Sequence, residues 1–252
     1  MVDLRANTME RFAQALLNAV FPPACMLCDA VLPMGNRTGI CRDCSGDLWP
    51  VHPPFCRVCG KPFEQGETSR ACRDCLENPP NFDMLRAPYA YTGPLRDAII
   101  RFKFRRVTRY ARPLGHLLAA AVGLGIDWRD YDLAMPAPLH SRRLKERGFN
   151  QSLLLAKRIL RGSGVVLEYN ALRRVKPTAP QTGLSGPKRR ENVRGAFAVA
   201  DPSLIAGRSI LLIDDIVTTG STLNACAKAL KKAGAKRVDA VAVARPVELS
   251  ET

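Results

Sequence analysis

Two adjacent carboxylates at the end of an apolar run, followed at once by hydroxyls and a glycine, are the residues best equipped for chemistry. They lie in the stretch Ile210-Leu211-Leu212-Ile213-Asp214-Asp215-Ile216-Val217-Thr218-Thr219-Gly220-Ser221-Thr222. Backbone N–H groups at a helix start, with the hydroxyls of Thr218, Thr219, Ser221 and Thr222 beside them, can surround a phosphate monoester, and the helix dipole favours the anion. Gly220 admits close backbone approach where a Cβ would intrude. Asp214 and Asp215 are placed to accept hydrogen bonds from a pair of sugar hydroxyls and to favour a nearby Mg²⁺. A plain acidic strand end before a capped helix would account for a lone Asp-Asp, but the thirteen-residue string as a whole argues for a sugar-phosphate cup.

Cysteine supplies the second chemistry. Eight of the nine cysteines form four CxxC pairs, Cys25/Cys28, Cys41/Cys44, Cys56/Cys59 and Cys72/Cys75, and each of the first four recurs 31 residues later. Two such knuckles complete an all-thiolate tetrahedron around zinc, so this tandem repeat predicts two structural zinc sites with no open coordination position. A disulfide framework fits poorly with a chain lacking a convincing export signal. The repeat favours local pairing, Cys25, Cys28, Cys41 and Cys44 on one ion and Cys56, Cys59, Cys72 and Cys75 on the other, and leaves a cross-braced arrangement open. Cys226, the ninth, reads as a small buried filler.

Charge divides the chain where the cysteines end. Up to Pro80 there are 8 basic and 9 acidic residues; beyond it there are 30 and 14, so the whole excess behind the net charge of +15 lies in the second part. Between Arg101 and Arg112 six basic residues, among them Arg101, Lys103, Arg105 and Arg106, interleave with Phe102, Phe104 and Tyr110. Cations on phosphates with rings stacked on bases would make a single-strand nucleic-acid platform, to which Arg147 adds. An amphipathic element with its rings in the core is the equal alternative. A phosphorylated sugar alone does not require so large an excess.

These groups need a scaffold. From Asp132 onward short apolar runs alternate with helical periods, which is the pattern of a parallel sheet covered by helices. Asp132 to Met135, Val165 to Leu167, Ile210 to Ile213 and Val238 to Ala244 read as strands; Asn150 to Leu160, capped by Asn150, and Ser221 to Lys232, stopped by Gly234, read as helices. The expected organisation is an N-terminal helix over 1–22, a double zinc ribbon over 23–80 and an α/β domain over 81–252. Trp49 and Trp128 are expected to anchor packing near the cysteines and the sheet edge. With 46% apolar residues the chain is not chiefly disordered, and no apolar run approaches the roughly 18 to 20 residues of a membrane span. Gln14 and Asn18 interrupt the Phe12 to Phe21 stretch, which therefore reads as a helix and not as an export signal, and the expected location is the cytoplasm.

The thirteen-residue string resembles the phosphoribosyl pyrophosphate (PRPP) signature of type I phosphoribosyltransferases. Together with Met135-Pro136-Ala137-Pro138-Leu139-His140, Arg147-Gly148-Phe149-Asn150-Gln151, the later Gln181, Arg190, Asn192 and Gly195-Ala196-Phe197, and the double zinc ribbon, the chain resembles the ComF (ComFC) family of competence-associated proteins. The resemblance implies a type I phosphoribosyltransferase-like fold, two structural zinc ions, PRPP with Mg²⁺ as ligand, and a link to single-stranded DNA and DNA-processing proteins during natural transformation. It assigns Asp214 and Asp215 to the ribose, Thr218 to Thr222 to the 5′-phosphate, and the loop carrying His140, Ser141, Arg142 and Arg143 to pyrophosphate, although a solvated basic turn would also account for that loop. Arg173 to Arg194, with Thr178, Gln181, Thr182, Ser185, Lys188, Arg189 and Arg190, takes the place of a mobile lid or a plain connection. Ala87 to Arg112 takes the place of the hood that selects an acceptor. Three functions follow: a DNA-binding competence protein with a PRPP-type pocket, an active phosphoribosyltransferase acting on a nitrogenous acceptor, or a PRPP-sensing regulator.

Overall fold

The runs Ile210 to Ile213 and Val238 to Ala244 are apolar at both parities, so strands made from them must be covered on both faces. The computed structural model, which describes residues 22–63, 68–105, 107–177, 188 and 191–247, meets that demand with a parallel sheet between two layers. In chain order the elements are two short helices among the cysteines, α1 (Arg42–Gly46) and α2 (Arg73–Glu77), then β1 (Met84–Arg86), β2 (Tyr89–Ala90), α3 (Gly93–Phe104), α4 (Ala111–Ala119) and β3 (Leu133–Pro136). There follow α5 (Ser141–Arg147), α6 (Gln151–Ile159), β4 (Val166–Leu167), β5 (Leu172–Arg174), β6 (Phe197–Val199), β7 (Ser209–Ile216), α7 (Ser221–Lys232) and β8 (Arg237–Arg245).

The sheet runs β1–β8–β7–β3–β4 with every pair parallel, and β2 continues the β1 edge along β8. Pro136 pairs with Ile213 and Ile213 with Val241, so the C-terminal ends of the three central strands open on one side of the molecule. Alternation divides the core in two. Leu211, Ile213, Val241 and Val243 face α3, α4, α6 and the first cysteine unit, while Ile210, Leu212, Ala240 and Ala242 face α7, Phe82 and the antiparallel β5–β6 pair. In α3 the positions Leu95, Ala98, Ile99 and Phe102, at helical spacing, are all buried.

The cysteine units are built into this frame. Met26, Leu32 and Ile40 of the first share a core with α4, and the backbone of both units covers the β1–β2 edge. Ala90 N–H donates to Trp49 O at 2.8 Å, Val51 N–H to Pro88 O at 2.8 Å and Leu85 N–H to Val58 O at 2.7 Å. The edge is thereby protected from pairing with another chain. Gly60 is required there, because a Cβ would lie 2.7 Å from the Leu85 carbonyl oxygen. Trp49 departs from expectation: its backbone holds the edge, but its side chain is 55% exposed. Trp128 is half-buried against the α4 core.

Asn150 caps α6 through bonds from the N–H groups of Ser152 and Leu153. The basic stretch after β3 is not a turn but the short helix α5, capped by His140 Nδ1 and stopped at Gly148 with φ 84°. Among the described residues no helix is long and apolar enough to cross a membrane. The expected N-terminal helix lies outside the described residues, apart from Pro22.

Candidate functional site

Strand β7 carries both acids to its C-terminal end, and the chain then turns directly into α7. Asp214, Ile216, Val217, Thr218, Gly220, Ser221, Thr222 and Leu223 line a small open cup there. Thr219 Oγ1 and Ser221 Oγ are 2.7 Å apart, and Ser221 N–H donates to Thr219 Oγ1 at 3.4 Å, which shapes the turn. Gly220 sits at φ 72°, left-handed backbone that any other residue would adopt only under strain. No protein atom crowds it; a Cβ would find Phe82 no nearer than 3.7 Å, so conformation and not space demands the glycine.

The acids differ in their surroundings. Asp214 Oδ1 accepts from Ser152 Oγ at 2.9 Å and from the Asp215 N–H at 2.9 Å. Burial and the neighbouring Asp215 charge nevertheless push its carboxyl up to about 7. Asp215 is buried, with Lys103 Nζ 3.1 Å from Oδ1 and Gln151 Nε2 donating to Oδ2 at 3.4 Å. Arg147 lies near enough to feel the charge of both acids, and Arg174 that of Asp214, although neither forms an ion pair with them. Arg143 lies close enough to Arg147 and Arg174 for the like charges to be felt. The result is an acid pair inside a cationic collar. Such a collar attracts a polyanionic ligand and supplies charge to a departing diphosphate.

Both cysteine units pair locally, which decides the connectivity that spacing left open. Within each unit the four Sγ atoms lie within 4.8 Å of one another, and Cys28–Cys41 and Cys59–Cys72 separations are 3.7 and 3.8 Å. A tetrahedral zinc with Zn–S bonds near 2.3 Å requires sulfur–sulfur edges of about 3.8 Å. The N–H groups of Cys41 and Cys44 point at Cys25 and Cys41 sulfur, and those of Cys59 and Cys72 at Cys56 sulfur, as thiolates require. The donor sets fit two structural zinc ions that would tie the loops together and leave no position for substrate.

A double zinc ribbon domain matches residues 16–76, and a phosphoribosyl transferase domain matches residues 150–250. Competence protein F of Haemophilus influenzae is 35% identical over 68% of this chain and 76% of its own length. DNA utilization protein YhgH of Escherichia coli O157:H7 is 34% identical over 86% of this chain and 94% of its own. The chain belongs to the ComF family. Competence protein ComFC of Bacillus subtilis is similar at 29% identity, over 59% of this ComF-family chain and 58% of its own length.

Within the ComF-family site, Asp214, Thr218, Gly220, Ser221 and Thr222 come together in the cup, with Thr219 bonded to its rim. His140 serves as the cap of α5, and Arg142 is occupied on the surface with Glu146 at 3.0 Å; Arg143 alone of the three takes part in the collar. Of the residues read from sequence as parts of a nucleic-acid face, Lys103 is paired with Asp215 and Arg147 stands near both acids. The aromatic platform is also reduced. Phe102 is buried against Phe149, with ring centroids 5.7 Å apart, and Tyr110 is buried, which leaves Phe104, 68% exposed, with the Arg147 guanidinium 5.4 Å from its ring. Arg105 is exposed, Arg101 is drawn toward Asp29 of the first cysteine unit at 3.6 Å, and Arg106 lies outside the described residues.

Sequence reasoning assigned no individual role to Ser152 or Gln151, and it placed Arg174 at the start of a lid or connection where the structure has strand β5. Gln151 closes the Arg147–Gln151 motif and Ser152 follows it, so the signal was present for two of them; Arg174 stands on β5 and reaches the site only through folding. Of the lid, Thr178, Gln181, Thr182, Ser185, Arg189 and Arg190 lie outside the described residues, and Lys188 is exposed.

Proposed function

We propose that this ComF-family protein binds single-stranded DNA as part of competence-type DNA uptake and holds PRPP, or a nucleotide-like phosphorylated pentose, in the cup after β7. What carries the reading is one juxtaposition. A hydroxyl-lined cup with an acid at its wall opens beside the collar of Lys103, Arg143, Arg147 and Arg174, and the exposed ring of Phe104 stands on Arg147 at its rim. The cup suits the 5′-phosphate and ribose of PRPP, with Mg²⁺ accompanying the diphosphate. The ring and the surrounding cations suit a strand whose bases stack and whose phosphates are neutralised. The relatives named for competence and DNA utilization point the same way, and competence or DNA-processing proteins are the partners expected in the cytoplasm.

Fluorescence anisotropy with a labelled oligonucleotide across a salt series tests the DNA half. Affinity is expected to fall steeply with salt, and Phe104→Ala to lose about 1–3 kcal/mol without a loss of stability, because the ring is exposed. Absence of binding at low salt removes this half. Calorimetry with PRPP and Mg²⁺ tests the other half, and no heat above that of Asp214→Ala removes it.

A second reading, an active phosphoribosyltransferase, draws on Asp214, because a carboxyl at about 7 in the cup is matched to proton transfer at neutral pH. In it, a nitrogen nucleophile displaces pyrophosphate at C1′ of PRPP while the collar stabilises the departing charge. Pyrophosphate release no faster than in Asp214→Ala across a broad set of nitrogenous acceptors excludes this reading and leaves PRPP sensing.

A further inference from the structure

An ionised acid is buried only with a partner, and Asp215 has one of unusual origin. Its side chain is 5% exposed, and the ammonium of Lys103, itself only 19% exposed, lies 3.1 Å from Oδ1. Lys103 stands in the last turn of α3, immediately after Phe102, which is fully buried in the core and fixes that turn. Gln151 approaches the other oxygen at 3.4 Å, and the Arg147 charge is felt from farther off. Asp214 forms part of the cup wall and Asp215 does not. The two adjacent acids have therefore separated: one faces the cup, the other is held from behind.

Neighbouring carboxylates can recruit a divalent cation, which takes oxygen ligands and offsets their repulsion. We propose that Lys103 is the built-in counter-ion of this pair, its ammonium standing at Asp215 where a divalent cation would otherwise bind. It is a positioning residue. By pinning Asp215 it fixes the N–H that Asp215 donates to Asp214 Oδ1 at 2.9 Å, and so the orientation of the acid at the cup. The ligand-free protein then holds no divalent ion at the pair, and a metal that serves the site arrives on the diphosphate of its ligand. Only this last consequence rests on the sugar-phosphate reading.

Mn²⁺ titration followed by electron paramagnetic resonance, on the full-length zinc-loaded protein without other ligand, tests the proposal. Wild type is expected to bind Mn²⁺ with a Kd of about 1 mM or weaker, and Lys103→Met to acquire a site at least about tenfold tighter, because an uncompensated carboxylate then seeks a cation. Lys103→Arg should behave as wild type, and Lys103→Met with Asp215→Asn should lose the acquired site. A purely structural lysine would move stability but create no Mn²⁺ site. Tight Mn²⁺ binding by wild type that disappears in Asp215→Asn overturns the proposal, as does a folded Lys103→Met no tighter than wild type. If that variant does not fold, Lys103→Gln is read by the same criteria. Calorimetry with ribose 5-phosphate on the same samples keeps the two readings apart: no sugar-phosphate binding beside the expected Mn²⁺ pattern removes the occupant of the cup and leaves the counter-ion.

Discussion

Asp214 shows how a single group reports on its surroundings. Its carboxyl lies near 7 in the folded chain and near its ordinary 3.8 in the unfolded one, because burial and the Asp215 charge outweigh the help from Lys103, the Asp215 N–H and Ser152. The unfolded state therefore releases its proton first as pH rises. The stability associated with Asp214 is fully present below about pH 4 and is lost as pH climbs through 7, opposite to a salt-bridged aspartate. Urea unfolding midpoints of the zinc-loaded protein compared with Asp214→Asn at matched pH should show the variant gaining on wild type between pH 4 and 8. Parallel pH profiles for the two proteins would show that the carboxyl titrates normally. Sugar hydroxyls donating to this oxygen would favour the ionised form, so added ribose should narrow the difference.

At the scale of the element, the turn between β7 and α7 is where backbone conformation and binding meet. Gly220→Ala should cost about 1–2 kcal/mol from the left-handed backbone alone, since no atom stands closer than 3.7 Å to the added carbon. The same variant should weaken ribose 5-phosphate binding, measured by calorimetry, by shifting the N–H groups of the turn; unchanged stability would mean that the turn relaxes at no cost. This turn was legible in sequence, as were β7, β8, α6 and α7, because each combines an apolar run or stripe with a nearby stop or cap. Helix α5 was not, since Ser141 to Arg147 offers no apolar stripe and depends on the His140 cap and the Gly148 stop. Nor was the destination of Lys103. Composition showed a basic run with three rings, but only the packing of Phe102 and Tyr110 into the core decides that Lys103 turns inward and Phe104 outward.

At the scale of the whole molecule, the second zinc unit and the sheet are one electrostatic structure. Four thiolates on one dication form a dianion, and two buried arginines of the sheet lie against it. Arg245, at the end of β8, donates to Cys59 O at 2.6 Å and faces the sulfurs of Cys56, Cys59 and Cys72. Arg86, at the end of β1, donates to Arg57 O at 2.9 Å and covers the Phe55 ring at 4.9 Å. The ribbon thus depends on the sheet for counter-charge, and the sheet depends on the ribbon to cover its edge. The first unit differs: its Cys28 is exposed, and Asp29 beside it meets Arg101 and Arg109 only at 3.6 and 3.8 Å on the surface. A chelator should accordingly remove zinc in two phases, the faster one from the Cys25 unit. Arg245→Met should accelerate the slower phase alone, because it leaves a buried dianion short of a cation. Zinc release followed with a metallochromic dye, alongside far-ultraviolet circular dichroism, separates the phases. Loss of sheet signal is expected with the second phase, where β1 at the sheet edge loses its cover, and a single phase unaffected by Arg245→Met would show that the two metal units are electrostatically independent of the sheet.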